Sequence, residues 1–141
     1  MKQIEYELGP PIIAADMIAR RVVELAAAIA ADHKPRNAPL LIAGILNGSY
    51  MFLADLTREL AKYRLDIRID FFMLASYGSG TVSNGIVALE HDLRLPVEGQ
   101  TVLIVDDILD TGLTLAFARR HLHERGAAKV KTCVLLSKKV E

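Results

Sequence analysis

The chain has 141 residues, and its 17 basic and 17 acidic side chains give a formal net charge of zero. With 52% hydrophobic and 24% charged residues it is expected to form one soluble domain, residues 1–141, with a sizeable core, and no basic excess speaks for a nucleic-acid partner. The single cysteine, Cys133, excludes an internal disulfide; no apolar run approaches the roughly 18 residues of a membrane span, and no signal-like N-terminal block departs from the cytoplasm as the expected compartment. In chain order, residues 1–11 read as an extended lead-in closed by Pro10-Pro11. Ala, Leu and Arg from about Ile12 to Ala31 favour a helix. A polar connection, His33 to Pro39, leads to a short apolar strand, Leu40–Leu46, which turns at Asn47-Gly48-Ser49. Tyr50–Lys62 has helical spacing, with Phe52, Leu53, Leu56 and Leu60 on one side. A strand over Leu65–Ala75 is followed by a glycine-rich loop, Ser76–Gly85, expected to be mobile, and by a returning strand, Ile86–Glu90. Leu93–Gln100 connects to a strand over Thr101–Val105, a helix over Leu113–Arg125 ended by Gly126, and a last strand over Lys129–Leu136. Alternating strands and helices imply an α/β fold: a mostly parallel sheet flanked by helices.

The most informative stretch is Val102 to Leu115. A buried strand runs into Asp106, Asp107 and Asp110, then Thr111-Gly112-Leu113-Thr114, then a helix. A helix N-terminus carries free backbone N–H groups and roughly half a positive charge, which suits a phosphate. Gly112 lets the backbone approach an anion, and Thr111 and Thr114 can add hydroxyl donors or cap the helix. Three carboxylates would repel a phosphate, so sugar hydroxyls or a divalent cation are their natural partners. Asp106 and Asp107 are sequence neighbours, so on an extended backbone their side chains diverge. The four histidines show no metal spacing with Cys133 and read as solvated, while Cys133 reads as a core residue. There is no Gly-Lys-Ser/Thr phosphate loop in the sequence.

This stretch resembles the ribose-5-phosphate loop of the type I phosphoribosyltransferases. Two further segments, Gly44 to Leu56 and Ser76 to Thr81, are similar to those of the hypoxanthine (guanine) phosphoribosyltransferases. The resemblance implies that architecture with a flexible lid, and a purine-salvage enzyme. It would transfer 5-phosphoribosyl from phosphoribosyl pyrophosphate to hypoxanthine or guanine with Mg2+, in a homo-oligomer, dimer or tetramer. Asp106 and Asp107 would hold the ribose hydroxyls and Mg2+, directly or through water. The family's usual first acid is Glu, and Asp106 is a methylene shorter. Asp110 would be the general base at N7 of the purine, its bland alternative being a helix cap. Residues Asp110 to Thr114 would take the 5-phosphate. Leu46, Asn47 and Gly48 would face pyrophosphate, with a cis peptide at Leu46–Asn47, although many relatives carry Lys where this chain has Asn47. Ser76 and Tyr77 would open the lid. Lys138, with Lys139 as alternative donor, would reach the purine 6-oxo group. Family members continue well past the position matching Glu141, and that tail carries the rest of the purine pocket. The chain as given is therefore expected to bind the phosphorylated sugar and to hold the purine weakly. The rival readings are a xanthine- or adenine-preferring enzyme and a phosphoribosyl-pyrophosphate-sensing regulator that binds nucleic acid. The neutral charge disfavours the latter.

Overall fold

The computed structural model describes residues 8–77 and 86–139. Its elements are α1 (Ala15–Asp32), β1 (Leu40–Leu46), α2 (Tyr50–Leu60), β2 (Ile67–Tyr77), β3 (Ile86–His91), β4 (Thr101–Leu109), α3 (Leu113–Glu124) and β5 (Lys129–Ser137). The sheet order is β3-β2-β1-β4-β5, parallel throughout except for the antiparallel β2–β3 hairpin. This is the mostly parallel, helix-flanked sheet that the alternation predicts. No described helix is long and apolar enough to cross a membrane.

The strand pattern divides the core between two faces. Leu41, Ala43 and Ile45 of β1 and Val102 and Ile104 of β4 pack with Leu115, Ala118 and Leu122 of α3. The alternate residues Leu40, Ile42, Leu103 and Val105 pack with Val22 and Ala26 of α1 and with Phe52, Leu53, Leu56 and Leu60 of α2. Strands sandwiched between two helical layers are buried on both faces, which is why they read as continuous apolar runs. Cys133 lies in the second cluster, and burial pushes its thiol up to about 11, so it behaves as a small core hydrophobe.

Several boundaries differ from the sequence reading. α1 begins at Ala15, not Ile12: Ala14 is still extended, at φ −71° and ψ 148°, and its carbonyl receives the first helical N–H groups, from Met17 and Ile18. Ile12 stands fully exposed in the lead-in, of which residues 1–7 lie outside the described residues. α2 stops at Leu60 and tightens into a 3-10 turn, Ala61–Tyr63, where Arg64 takes a left-handed φ of 53°. Ser76 and Tyr77 do not open the loop. They end β2, where they pair with Val87 and Ile86; the rest of the predicted loop, residues 78–85, lies outside the described residues. β4 does not stop at Val105 but runs on through both acids to Leu109, because β5 continues alongside it.

Nor are all the histidines solvated. His33 is buried and bonds the Ala38 carbonyl at 2.8 Å, tying the end of α1 to the connection before β1. His121 is half-buried, stacks on Phe117 and lies 2.9 Å from an Asp92 oxygen. Arg125 reaches the other Asp92 oxygen at 2.9 Å, so α3 is clamped to the connection after β3. Asp70 on β2 secures the same connection. Burial works against its charge, but N–H donors from Leu95, Phe71 and Arg94 outweigh that and hold its carboxyl below the usual range.

Candidate active site at the crevice between β1 and β4

The site is set by where two central strands part. β1 and β4 pair from Leu40↔Thr101 to Gly44↔Val105 and no further. Beyond that point β1 stays with β2 as far as Leu46↔Met73, while β4 stays with β5 as far as Leu109↔Ser137. α2 follows β1 on one face and α3 follows β4 on the other, so the chain winds away in opposite directions from this pair. A crevice at the carboxyl ends of such strands is where open α/β sheets bind ligands.

Leu46, Asn47 and Gly48 form the β1 wall. The Leu46–Asn47 peptide is cis, as the resemblance implies. The Ser49 N–H bonds the Ile45 carbonyl at 3.2 Å and the Tyr50 N–H the Asn47 carbonyl at 3.4 Å, so the turn folds back on its own strand. Asp106 and Asp107 form the β4 wall, and they are used differently. Asp106 lines a small cleft with residues 108–112, 114 and 115, whereas Asp107 lies against Gly48. They are not wholly separate, contrary to a simple divergence of neighbours. Asp106 accepts the Asp107 N–H at 3.0 Å; half-burial, and then the adjoining Asp107 carboxylate, raise its carboxyl to about 6. Close to neutrality Asp106 thus holds a proton more readily than an ordinary aspartate.

The cleft beside Asp106 has a volume of roughly 70 Å³. Its rim is the start of α3. Gly112 caps that helix with φ +82°, a left-handed conformation that a side chain at this position would strain. The Leu113 N–H is met by the Thr111 hydroxyl at 3.3 Å, and Ala116 makes the first helical bond, to the Gly112 carbonyl. The first-turn N–H groups therefore lie at the edge of the cleft without helical acceptors. The helix cap is Gly112, not Asp110, so the bland alternative for Asp110 is removed. At the far end of α3, Gly126 at φ +84° closes the helix through Gly126 N–H to His123 and Ala127 N–H to Leu122, as expected from its position. Two roomier grooves, of roughly 410 and 460 Å³, flank α1, but neither gathers the acids or the free N–H groups.

Asp110 and Lys138 meet at the upper rim. The Lys138 N–H extends the ladder by bonding the Leu109 carbonyl at 2.8 Å, which brings its ammonium 3.5 Å from an Asp110 oxygen. Both side chains are more than half exposed. Lys139 is exposed and forms no ion pair among the described contacts. The sequence reading missed Ile108, 40% exposed in the same cleft although it belongs to a strand whose earlier residues are buried. An apolar residue flanked by acids just beyond a buried run was the available signal. Among the described residues no three His, Cys, Asp or Glu side chains converge on a metal.

Residues 13–141 match the phosphoribosyl transferase domain family. The hypoxanthine-guanine phosphoribosyltransferase of Aquifex aeolicus is 37% identical over 99% of this chain and 76% of its own length. That of Dictyostelium discoideum is 39% identical over 86% of this chain and 67% of its own length. Among solved structures, the Trypanosoma cruzi hypoxanthine phosphoribosyl transferase superposes with a TM-score of 0.85 at 39% identity, covering 97% of this chain and 73% of that one. The Bacillus anthracis hypoxanthine-guanine phosphoribosyltransferase does so with a TM-score of 0.84 at 34% identity, covering 95% and 76%. The ordered acids, the glycine-capped helix and the parted strands thus occur in a chain that belongs to the hypoxanthine-guanine phosphoribosyltransferase family.

Proposed function

We propose that this chain transfers a 5-phosphoribosyl group from phosphoribosyl pyrophosphate to a 6-oxopurine, hypoxanthine or guanine, releasing pyrophosphate. The observation that carries the choice of acceptor is the Asp110–Lys138 pair, a carboxylate and an ammonium 3.5 Å apart at the crevice rim. A 6-oxopurine presents a donor and an acceptor side by side, N7–H and O6, and these two charged groups complement both at hydrogen-bond spacing. Adenine carries an amino donor at position 6 and would set it against the lysine.

The remaining roles follow from position. The α3 N-terminus, with Thr111, Gly112, Leu113 and Thr114, takes the 5-phosphate; Asp110 leads into that loop, and its carboxylate turns to the purine. Leu46, Asn47 and Gly48 face pyrophosphate. Asn47 is uncharged, so the turn depends on backbone donors there. Asp106 and Asp107 stand between the two anions, where the ribose hydroxyls would lie. Each charge-assisted hydrogen bond to those hydroxyls is worth about 1.5–3 kcal/mol. Ile108 offers an apolar surface beside Asp110. Ser76 and Tyr77, at the end of β2, lead into the segment read as a lid, whose closure would keep water from the reactive sugar.

The donor set fits Mg2+. Two adjacent carboxylates supply hard oxygens, and the ion ordinarily takes one or two of these plus water and substrate phosphates instead of an all-protein cage. Asp106 and Asp107 would hold it, and when bound it would neutralise charge on the pyrophosphate. In the transfer, the bond from ribose C1 to the pyrophosphate oxygen breaks, a bond from C1 to the purine nitrogen forms, and the N7 proton passes to Asp110. A positioned base of this kind contributes about 10²–10⁴-fold. Assembly as a dimer or tetramer and a cytoplasmic setting belong to the same reading. Exposed Met17, Val23 and Met51 on α1 and α2 support the first, and a lone buried cysteine the second. The test is a panel of hypoxanthine, guanine, xanthine and adenine with phosphoribosyl pyrophosphate and magnesium. Nucleotide formed from hypoxanthine or guanine in preference to adenine supports the proposal; adenine as the preferred acceptor overturns it.

A further inference from the structure

We infer that Gly48 is a positioning residue for Asp107: its missing side chain leaves the space that lets the carboxylate lie across the crevice against the β1–α2 turn. The functional consequence rests on the reading above, while the contact itself does not. A Cβ placed on Gly48 would stand 2.9 and 3.0 Å from the two Asp107 carboxylate oxygens and 3.1 Å from the carboxyl carbon. The first distance is shorter than real Cβ contacts and the other two are tighter than most, so a side chain at 48 obliges the Asp107 carboxylate to shift.

Neither wall can easily yield. The turn is tied to β1 by the Ser49 N–H on Ile45 and to α2 by the Leu53 N–H on Ser49 at 2.8 Å, and Ser49 is fully buried. On the other wall, the β4–β5 ladder fixes the backbone on both sides of Asp107, at Asp106↔Val134 and Ile108↔Leu136. The mobile part is the Asp107 side chain, and it too is anchored: Oδ1 accepts the Ile108 N–H at 2.9 Å. A methyl at 48 would be relieved by swinging Asp107 off that bond and out of the crevice. The two strands share no ladder beyond Gly44 and Val105, and acid and turn meet across the gap that opens there. The device is steric and distinct from any N–H that residue 48 offers an anion, because alanine would keep that N–H.

The experiment is a four-protein cycle: parent, Gly48→Ala, Asp107→Ala and the double variant. Each is measured for binding of phosphoribosyl pyrophosphate with magnesium and for thermal unfolding without ligand. In the presence of Asp107, Gly48→Ala is expected to weaken binding about ten- to hundredfold, the loss of one charge-assisted contact. The KM for the sugar should rise while that for the purine stays put. In the Asp107→Ala background the same change should cost almost nothing, in binding and in melting temperature alike, because the obstacle is gone. Equal losses in both backgrounds would overturn the inference and assign Gly48 to the turn alone. A parent chain that binds no phosphoribosyl pyrophosphate would defeat the proposed function; the coupling of the melting temperatures would still decide this inference.

Discussion

Asp110→Asn separates chemistry from folding at this site. Asparagine has the same shape and keeps an acceptor, but it cannot take up the N7 proton. The structural cost should be small: the Asp110 side chain is 58% exposed, its ion pair with Lys138 is 3.5 Å long, and it does not cap α3. An exposed pair of that kind contributes at most about 1 kcal/mol, or a shift of no more than roughly 4 °C in a chain of this size. The sugar should bind as before, since asparagine keeps the shape of Asp110 where it lines the Asp106 cleft and the start of α3 is untouched. Transfer should slow about 10²–10⁴-fold, a rise of roughly 3–5 kcal/mol in the barrier. Calorimetry with phosphoribosyl pyrophosphate and magnesium, melting curves, and single-turnover measurements with hypoxanthine distinguish the three effects. Turnover equal to the parent's would remove Asp110 from the base role. Lost sugar binding, with turnover falling only in proportion, would show that the residue holds the phosphate loop instead.

Two further substitutions probe the walls of the crevice. Asp106 is raised by burial and by Asp107 from 3.8 to about 6, so the folded chain binds this proton more tightly than the unfolded one. Its contribution is complete below about pH 4 and is lost as pH rises through about 6, so Asp106→Asn should melt above the parent at pH 7 and lose that advantage at pH 4; a difference independent of pH would contradict the assignment. Gly44→Ala would bring a methyl to 2.8 Å from Leu53 Cδ2 and about 3.0 Å from the Phe71 ring, both part of the core on the α1 and α2 face. Overpacking of this kind costs about 1–3 kcal/mol, read as a lower urea midpoint at unchanged slope; an unaltered midpoint would mean that Leu53 and Phe71 repack without strain.

Much of this was legible from residue order because it is local. The apolar run Val102–Val105, the acids after it, and Gly112 and Gly126 at the two ends of α3 each answer to a backbone rule that acts within a few positions. What escaped depends on distant partners. The acids of β4 read as a loop because carboxylates are poor strand residues, yet β5 keeps them in the ladder while the crevice leaves their charges room. Ser76 and Tyr77 read as loop for a similar reason, and are held in β2 only because Val87 and Ile86 return beside them. His121 looked solvated since Asp92, which it meets, lies in the connection after β3. The Gly48–Asp107 contact joins segments that no periodicity relates.

The separation of β1 and β4 beyond Gly44 and Val105 has an evolutionary consequence. The ladder that these two strands share ends before the groups assigned to ligand begin. Groups assigned to the leaving group stand at the end of β1, and those assigned to the incoming base just past β4 and β5. With the roles proposed above, a lineage could exchange residues at the β5 tip, and with them the choice of acceptor, without disturbing the grip on the donor. Diversification of this architecture should concentrate on that tip, leaving the five paired positions of the two strands comparatively still.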